Sequence, residues 1–217
     1  ILVSVMLVNN ETGCINPIKE IAEAVHAHSR AVVHSDMVQA LGKMELPVSS
    51  VDMATFSAHK IYGLKGSALL YHRKNLRLLP LISAGQQEWG LRGGTSNAPT
   101  EIVLAKTIRL ALEEQAQHIA HVQKINAYTR EKLSAIPDIA VNSPEDAYPF
   151  ILNFSCLCIG SEIMLNALDA KGICVSAQST CNSKGKAISH VLLAMGKDEL
   201  HATHAVRLSF SHLTSIE

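Results

Sequence analysis

Val51-Asp52-Met53-Ala54-Thr55-Phe56 runs straight into Ser57-Ala58-His59-Lys60, and Gly63 and Gly66 follow. The apolar run predicts a strand that ends at a lysine, with a glycine-bearing turn just beyond. A lysine so placed is carried by a rigid element and still reaches into a cleft. If its surroundings lower its pKa, the neutral amine becomes a nucleophile toward carbonyl carbon. Read alone, a lysine after a strand is an ordinary surface residue. Its weight comes from the segments around it.

Upstream, Ile1-Leu-Val-Ser-Val-Met-Leu-Val8 is a strand-like run, and Asn9-Asn-Glu-Thr-Gly13 is a polar loop with turn chemistry. Pro17 opens a helix in which Ile18, Ile21, Ala22 and Val25 recur at helical spacing. Ala31-Val-Val-His34 is a short strand ending in Ser35-Asp36, and Ser67-Ala-Leu-Leu-Tyr71 is another strand downstream. Strands alternating with a helix predict a sheet with parallel neighbours and helices on its faces. Ligands of such sheets bind beyond the carboxyl ends of the strands. Asn10, Asp36 and His59-Lys60 each follow a predicted strand end, so three loops are placed to converge on one cleft.

Further on, Gly85 to Thr95 is loop-like and dense in glycine. Asn97 is placed to cap a helix whose first turn holds Pro99 and Glu101. Ile102, Ala105, Ile108 and Leu112 continue it, and helical pattern persists, with a break, to about Leu133. We place a domain boundary near residue 115, within this helical stretch: residues 1–114 belong to a larger domain and 115–217 to a smaller one. The second part reads as strand 150–154, helix 161–171, strand 173–176, helix 188–195 and strand 205–210, an α+β unit. Gly172 and Gly196 stand where helix C-caps would. The loop Ala177 to Lys186 is polar and holds Cys181. A cysteine there is either a nucleophile or an incidental thiol.

Composition excludes several classes. Hydrophobic residues make up 47% of 217, and 19 basic residues balance 19 acidic ones, so a packed core is expected and disorder is not. That balance gives no basic footprint for direct nucleic-acid contact. No run of about eighteen apolar residues predicts a membrane span. The chain begins inside a strand-like run, with no initiator Met and no basic region before a cleavage site. It reads as a chain cut from something longer.

The five cysteines, at 14, 156, 158, 174 and 181, match no zinc spacing. Cys156 and Cys158 are expected to share one strand face as small hydrophobes. Reduced thiols in the cytosol are the simplest reading. His26 and His28, and His118 and His121, fall on helix patterns beside charged residues, so no metal site is expected.

Several segments together carry a resemblance. They are Val8-Asn-Asn-Glu-Thr-Gly13, His34-Ser-Asp-Met-Val-Gln39, Ser57-Ala-His-Lys-Ile-Tyr-Gly63-Leu-Lys-Gly66 and Arg92-Gly-Gly-Thr95. Ser179-Thr-Cys181, Ser189-His-Val-Leu-Leu-Ala-Met-Gly196 and Arg207-Leu-Ser209 complete the set. In order and approximate spacing they resemble the cysteine desulfurases, in the fold-type I, class V aminotransferase group of pyridoxal-phosphate (PLP) enzymes. The resemblance implies an α/β, fold-type I PLP-dependent transferase. Residues 1–114 would be an incomplete large domain with a mainly parallel sheet, and 115–217 the smaller α+β domain that carries the cysteine loop.

The resemblance also implies roles. Lys60 resembles the lysine that holds PLP covalently and moves protons at the substrate's α-carbon. Asp36 resembles the partner of the pyridine nitrogen. Asn10 and Gln39 resemble donors to the phenolic oxygen, and Ser57 and His59 resemble phosphate ligands. Thr95 resembles a phosphate ligand donated by the neighbouring subunit, which implies a homodimer. Arg207 resembles the arginine that grips the substrate carboxylate, where a planar fork gives bidentate contact. Cys181 resembles the catalytic cysteine that takes sulfur from L-cysteine, leaving L-alanine and an enzyme persulfide. A sulfur-acceptor protein, an iron–sulfur scaffold or a tRNA-thiolation enzyme, would be the next partner. Relatives carry an upstream segment with a Thr-bearing phosphate loop and a ring-stacking histidine that these residues do not include. Activity of the 217 residues alone is therefore not expected. The alternatives are another class V enzyme, an aminotransferase or selenocysteine lyase, or a non-catalytic fragment of the fold.

Overall fold

The first sheet is built from β1 (Leu2–Met6), β2 (Val32–Asp36), β3 (Met53–Ser57) and β4 (Ala68–His72), in that order. β1, β2 and β3 are parallel neighbours, and β4 runs antiparallel to β3. Val33, Ser35, Ala54 and Phe56 are buried, whereas His34, Asp36, Thr55 and Ser57 alternate with them on the more open face. The computed structural model describes residues 1–177 and 188–216. They divide into two compact units: residues 1–7 with 16–115, and residues 8–15 with 116–217. The second unit therefore takes in residues 8–15, which the sequence boundary near 115 had grouped with the first part.

α1 (Ile18–His28) starts after Pro17 and buries Ile18 and Ala22. Asp52 ties the helix to the sheet: its Oδ2 lies 2.8 Å from His26 Nε2 and accepts the Val33 N–H at 2.8 Å. Its Oδ1 stands 3.4 Å from an Arg73 nitrogen. Partial burial pushes the Asp52 carboxyl up, but the Val33 N–H, His26 and Arg73 outweigh it and leave it below its ordinary value. α2 (Ala98–Glu113) is capped by Asn97, whose side-chain oxygen accepts the Thr100 N–H at 3.4 Å.

Glu114 breaks the helical run before α3 (Gln115–Ser134). In the second unit, β5 (Ile139–Val141), β6 (Ile151–Cys156), β7 (Ser176–Ala177) and β8 (Ala205–Ser209) form an antiparallel sheet ordered β5-β6-β8-β7. α4 (Ser161–Asp169), α5 (His190–Ala194) and α6 (Glu199–Thr203) complete the unit among the described residues. Every residue of β6 is buried, including Asn153 and Ser155. Buried polar groups must find partners. Asn142 meets both, donating to Asn153 Oδ1 at 2.8 Å and to Ser155 Oγ at 2.7 Å.

Three expectations change. The strand expected at 173–176 shrinks to Ser176–Ala177, because the α4 cap uses the preceding backbone. Gly172 adopts φ +77 and the Ile173 N–H reaches back to the Leu168 carbonyl at 3.0 Å, the bond that ends a helix at a left-handed glycine. Cys156 and Cys158 do not share a strand face: β6 ends at Cys156, and Cys158 stands in the following turn, exposed. β5 and α6 were not expected.

Candidate functional site

The first unit gathers polar groups at the carboxyl ends of two adjacent strands. Asp36 is the last residue of β2 and is exposed. Its Oδ1 accepts the Val38 N–H at 2.9 Å, which fixes the carboxylate at the start of the turn. Behind it on the same strand, His34 lies 2.7 Å from Ser4 Oγ and 3.2 Å from Thr55 Oγ1. Gln39 is half-buried in the turn after β2.

Ser57 ends β3, and Ala58–Ile61 makes one 3-10 turn directly after it. Ala58 and Ile61 are buried and anchor that turn, leaving His59 exposed and Lys60 half-buried. The turn closes through the Gly63 N–H on the Ala58 carbonyl at 2.9 Å. A Cβ at Gly63 would stand 2.7 Å from the Ala58 Cβ, so the close approach requires glycine. Sequence reasoning missed Lys43. Burial and then the charge of Lys60 pull its pKa from 10.5 down to about 8. Only the folded chain places it beside Lys60; its sequence neighbours, Gly42 and Met44, give no such signal. Thr95 is exposed in the loop before α2.

The second unit holds Asn10 and Arg207 in direct contact. Arg207, on β8, donates from Nη1 to the Asn10 carbonyl at 2.8 Å and from Nη2 to Ser176 Oγ at 3.2 Å. The loop bearing Asn10 is fixed along its length. Asn9 Oδ1 accepts the N–H groups of Glu11 at 2.9 Å and Thr12 at 3.0 Å. Ser143 Oγ donates to the Thr12 carbonyl at 2.6 Å, and Asn153 Nδ2 to the Glu11 carbonyl at 3.1 Å. Ser189 Oγ donates to Glu11 Oε2 at 2.6 Å. Gly13 adopts φ +75, and a Cβ there would meet the Tyr148 carbonyl oxygen at 3.1 Å. Glu11, Thr12 and Gly13 thus have structural work within the loop. Ser143 and Asn153 were missed, and Ser189 was noted only as part of a motif, because their loop partners lie far away in sequence.

Cys181 lies outside the described residues. Among the described residues, no group of three His, Cys, Asp or Glu side chains is placed to hold a metal, and no helix is long and apolar enough to cross a membrane. Chemically, the first unit offers an amine, a carboxylate, a hydroxyl and an imidazole at the carboxyl ends of two neighbouring strands. Such a set can capture a carbonyl, keep a basic nitrogen protonated and bind an anion. The second unit offers a guanidinium fork held in place from two sides.

A family model described as aminotransferase class-V matches residues 1–217. The chain is 38% identical over 221 residues to a "NifS/IcsS protein homolog" of Lactobacillus delbrueckii subsp. bulgaricus, covering 100% of this chain and 57% of that relative. It is 37% identical over 219 residues to the "Cysteine desulfurase, mitochondrial" of Eremothecium gossypii, covering 99% of this chain and 44% of that one. Among solved structures, a "NIFS-LIKE PROTEIN" superposes with a TM-score of 0.89 at 35% identity, over 99% of this chain and 57% of that one. The chain thus spans about half the length of the curated relatives it matches.

Proposed function

This chain belongs to the aminotransferase class-V family, and from that premise we propose that its protein is a PLP-dependent cysteine desulfurase. It would convert L-cysteine to L-alanine and pass the sulfur to its own Cys181. The names of the relatives support this choice within the family. The observation that carries the chemistry is the cluster of Asp36, Ser57, His59 and Lys60 at adjacent strand ends.

That cluster fits the cofactor's three handles. The Lys60 amine suits its carbonyl, the Asp36 carboxylate its ring nitrogen, and Ser57 with His59 its phosphate. Bound PLP would supply an electron-withdrawing ring that stabilises negative charge at the substrate's α-carbon. Lys60 would hold the cofactor through its carbonyl carbon, and its amine would serve to move the proton at the substrate's Cα. Asp36, its carboxylate set by the Val38 N–H, would keep the ring nitrogen protonated. Asn10 and Gln39 would be the donors to its phenolic oxygen. Arg207 grips the substrate carboxylate with a guanidinium already oriented by Asn10 and Ser176. Thr95 reaches the phosphate from the neighbouring subunit of a homodimer, and the apolar Trp89 exposed nearby in sequence suits a subunit contact.

In the sulfur step the Cys181 thiolate attacks the substrate sulfur. An S–S bond forms as the C–S bond breaks, and the carbon fragment keeps that electron pair and takes up a proton to become alanine. The persulfide then goes to an acceptor protein, an iron–sulfur scaffold or a tRNA-thiolation enzyme. The reading places the protein in the cytosol, where its thiols stay reduced between turnovers.

The test uses the protein supplied with PLP and L-cysteine. Borohydride should fix the cofactor to Lys60, and Lys60→Ala should leave no reducible adduct. Cys181→Ser should retain the cofactor but lose persulfide. An adduct mapping to another lysine, or persulfide persisting in Cys181→Ser, would overturn the corresponding role. Amino transfer to a 2-oxo acid without sulfur release would make the protein an aminotransferase instead.

A further inference from the structure

The proposed reaction leaves Cys156 and Cys158 unused, yet their sulfurs lie 3.5 Å apart. The contact comes from a turn. The Ile159 N–H donates to the Cys156 carbonyl at 3.2 Å, which folds the chain back as soon as β6 ends. The Leu157 N–H donates to the Asp138 carbonyl at 2.8 Å, and Asp138 itself adopts φ +61. The turn is thus pinned to the neighbouring strand connection. Two cysteines at i and i+2 of a straight strand would stand roughly 6.5 Å apart along it. Here the turn brings Cys158 back onto Cys156.

Their accessibilities differ sharply. Cys156 is 4% exposed and Cys158 is exposed. One thiol meets a reagent in solution, and the other is shielded from that reagent but within reach of the first. An exposed sulfur that reacts, beside a buried sulfur that resolves, is the arrangement needed for intramolecular thiol–disulfide exchange.

We propose that Cys156 and Cys158 form a dithiol–disulfide couple that takes a low-molecular-weight disulfide as its oxidant. The Cys158 thiolate attacks one sulfur of the reagent, forms a mixed disulfide and expels the first thiolate. The Cys156 thiolate then attacks the Cys158 sulfur and expels the second. The two cysteines lose two electrons and two protons, and the reagent gains both as two thiols. Closure brings the sulfurs to about 2.05 Å, and Cys158, exposed in its turn, makes that approach. The Cys156 contact first, then partial desolvation and the charges of Cys156 and Asp138, hold the Cys158 thiol above its ordinary range. The reaction therefore speeds up in mildly alkaline buffer, where more thiolate is present. None of this depends on the desulfurase reading.

The experiment exposes the protein to oxidised glutathione, traps remaining thiols with an alkylating agent and maps the peptides by mass. The expected product is a peptide holding both cysteines, lighter by two hydrogens than its reduced form and free of glutathione and alkyl groups. It should form faster in alkaline than in neutral buffer and revert on adding a thiol. Cys156→Ser should retain glutathione on Cys158, and Cys158→Ser should abolish both products. Mapping the unsubstituted protein decides the question even if Cys156→Ser folds poorly. Glutathione persisting on Cys158 of the unsubstituted protein would overturn the proposal. So would alkylation of both thiols after full exposure.

Discussion

Among single residues, Lys43 bears on the site most directly after the strand-end cluster itself. A lysine amine that titrates near 8 in the folded chain and near 10.5 in the ordinary state costs stability whenever it is charged. The sign follows from linkage. Between about 8 and 10.5 the unfolded chain binds the extra proton, so stability rises with pH across that window. Below it the full cost is present, and above it the cost vanishes. A shift of that size corresponds to about 3 kcal/mol. Lys43→Met keeps most of the stem and removes the charge. The variant should be more stable near neutral pH by up to about 3 kcal/mol, and the gain should fade toward the ordinary lysine pKa. Denaturant midpoints of both proteins across that range give the measurement. A gain independent of pH would assign the effect to packing instead of charge.

At the level of elements, the turn that carries His59 and Lys60 depends on a glycine outside it. Gly63→Ala places a methyl 2.7 Å from the Ala58 Cβ and 3.0 Å from the Ala58 carbonyl oxygen, which already accepts the Gly63 N–H. Relief requires the turn to move. We expect a loss of roughly 1–3 kcal/mol in denaturant unfolding and weaker cofactor loading through displaced Lys60. An unchanged midpoint would show that the turn yields without cost. The elements legible in the sequence are those whose pattern is long enough to repeat. β2 and β3 alternate and end on polar residues, and α1 repeats its apolar face over 11 residues. β5, with three residues, is too short to alternate visibly, and α6, with five, too short to show a face. Ile173 and Cys174 misled because an apolar pair after Gly172 looks like a strand, whereas the backbone there closes the α4 cap. The places of Asp36 at the end of β2 and of Lys60 just past β3 were legible from the local pattern, whereas their expected roles came from the motif resemblance. Lys43 and Ser143 were not, nor was the contact of Ser189 with Glu11, since each depends on a distant partner.

For the whole molecule, one exposed apolar loop bears on association. Trp89 is 92% exposed, and Leu79 and Leu81 are 85% and 97% exposed in the same loop region as Thr95. Glu88 and Trp89 adopt φ +49 and +54, left-handed conformations that cost about 1–2 kcal/mol for each non-glycine residue. Burying the three side chains contributes roughly 1.5–3 kcal/mol each. Association costs roughly 4–15 kcal/mol in lost freedom, so these three support a dimer only as part of a larger contact. Ile82, 56% exposed, extends the same surface. Trp89 is the single tryptophan of the chain, which makes the proposed homodimer directly visible. Concentrated protein should show blue-shifted tryptophan emission and the sedimentation of a dimer. Dilution should move both toward the exposed monomer together. Leu81→Asp puts a charge into the contact, where burial without a partner is costly, and should leave a monomer with red-shifted emission at every concentration. Dimer sedimentation with unshifted, solvent-exposed emission would place the interface elsewhere, and Thr95 would then lose its proposed role across the subunits.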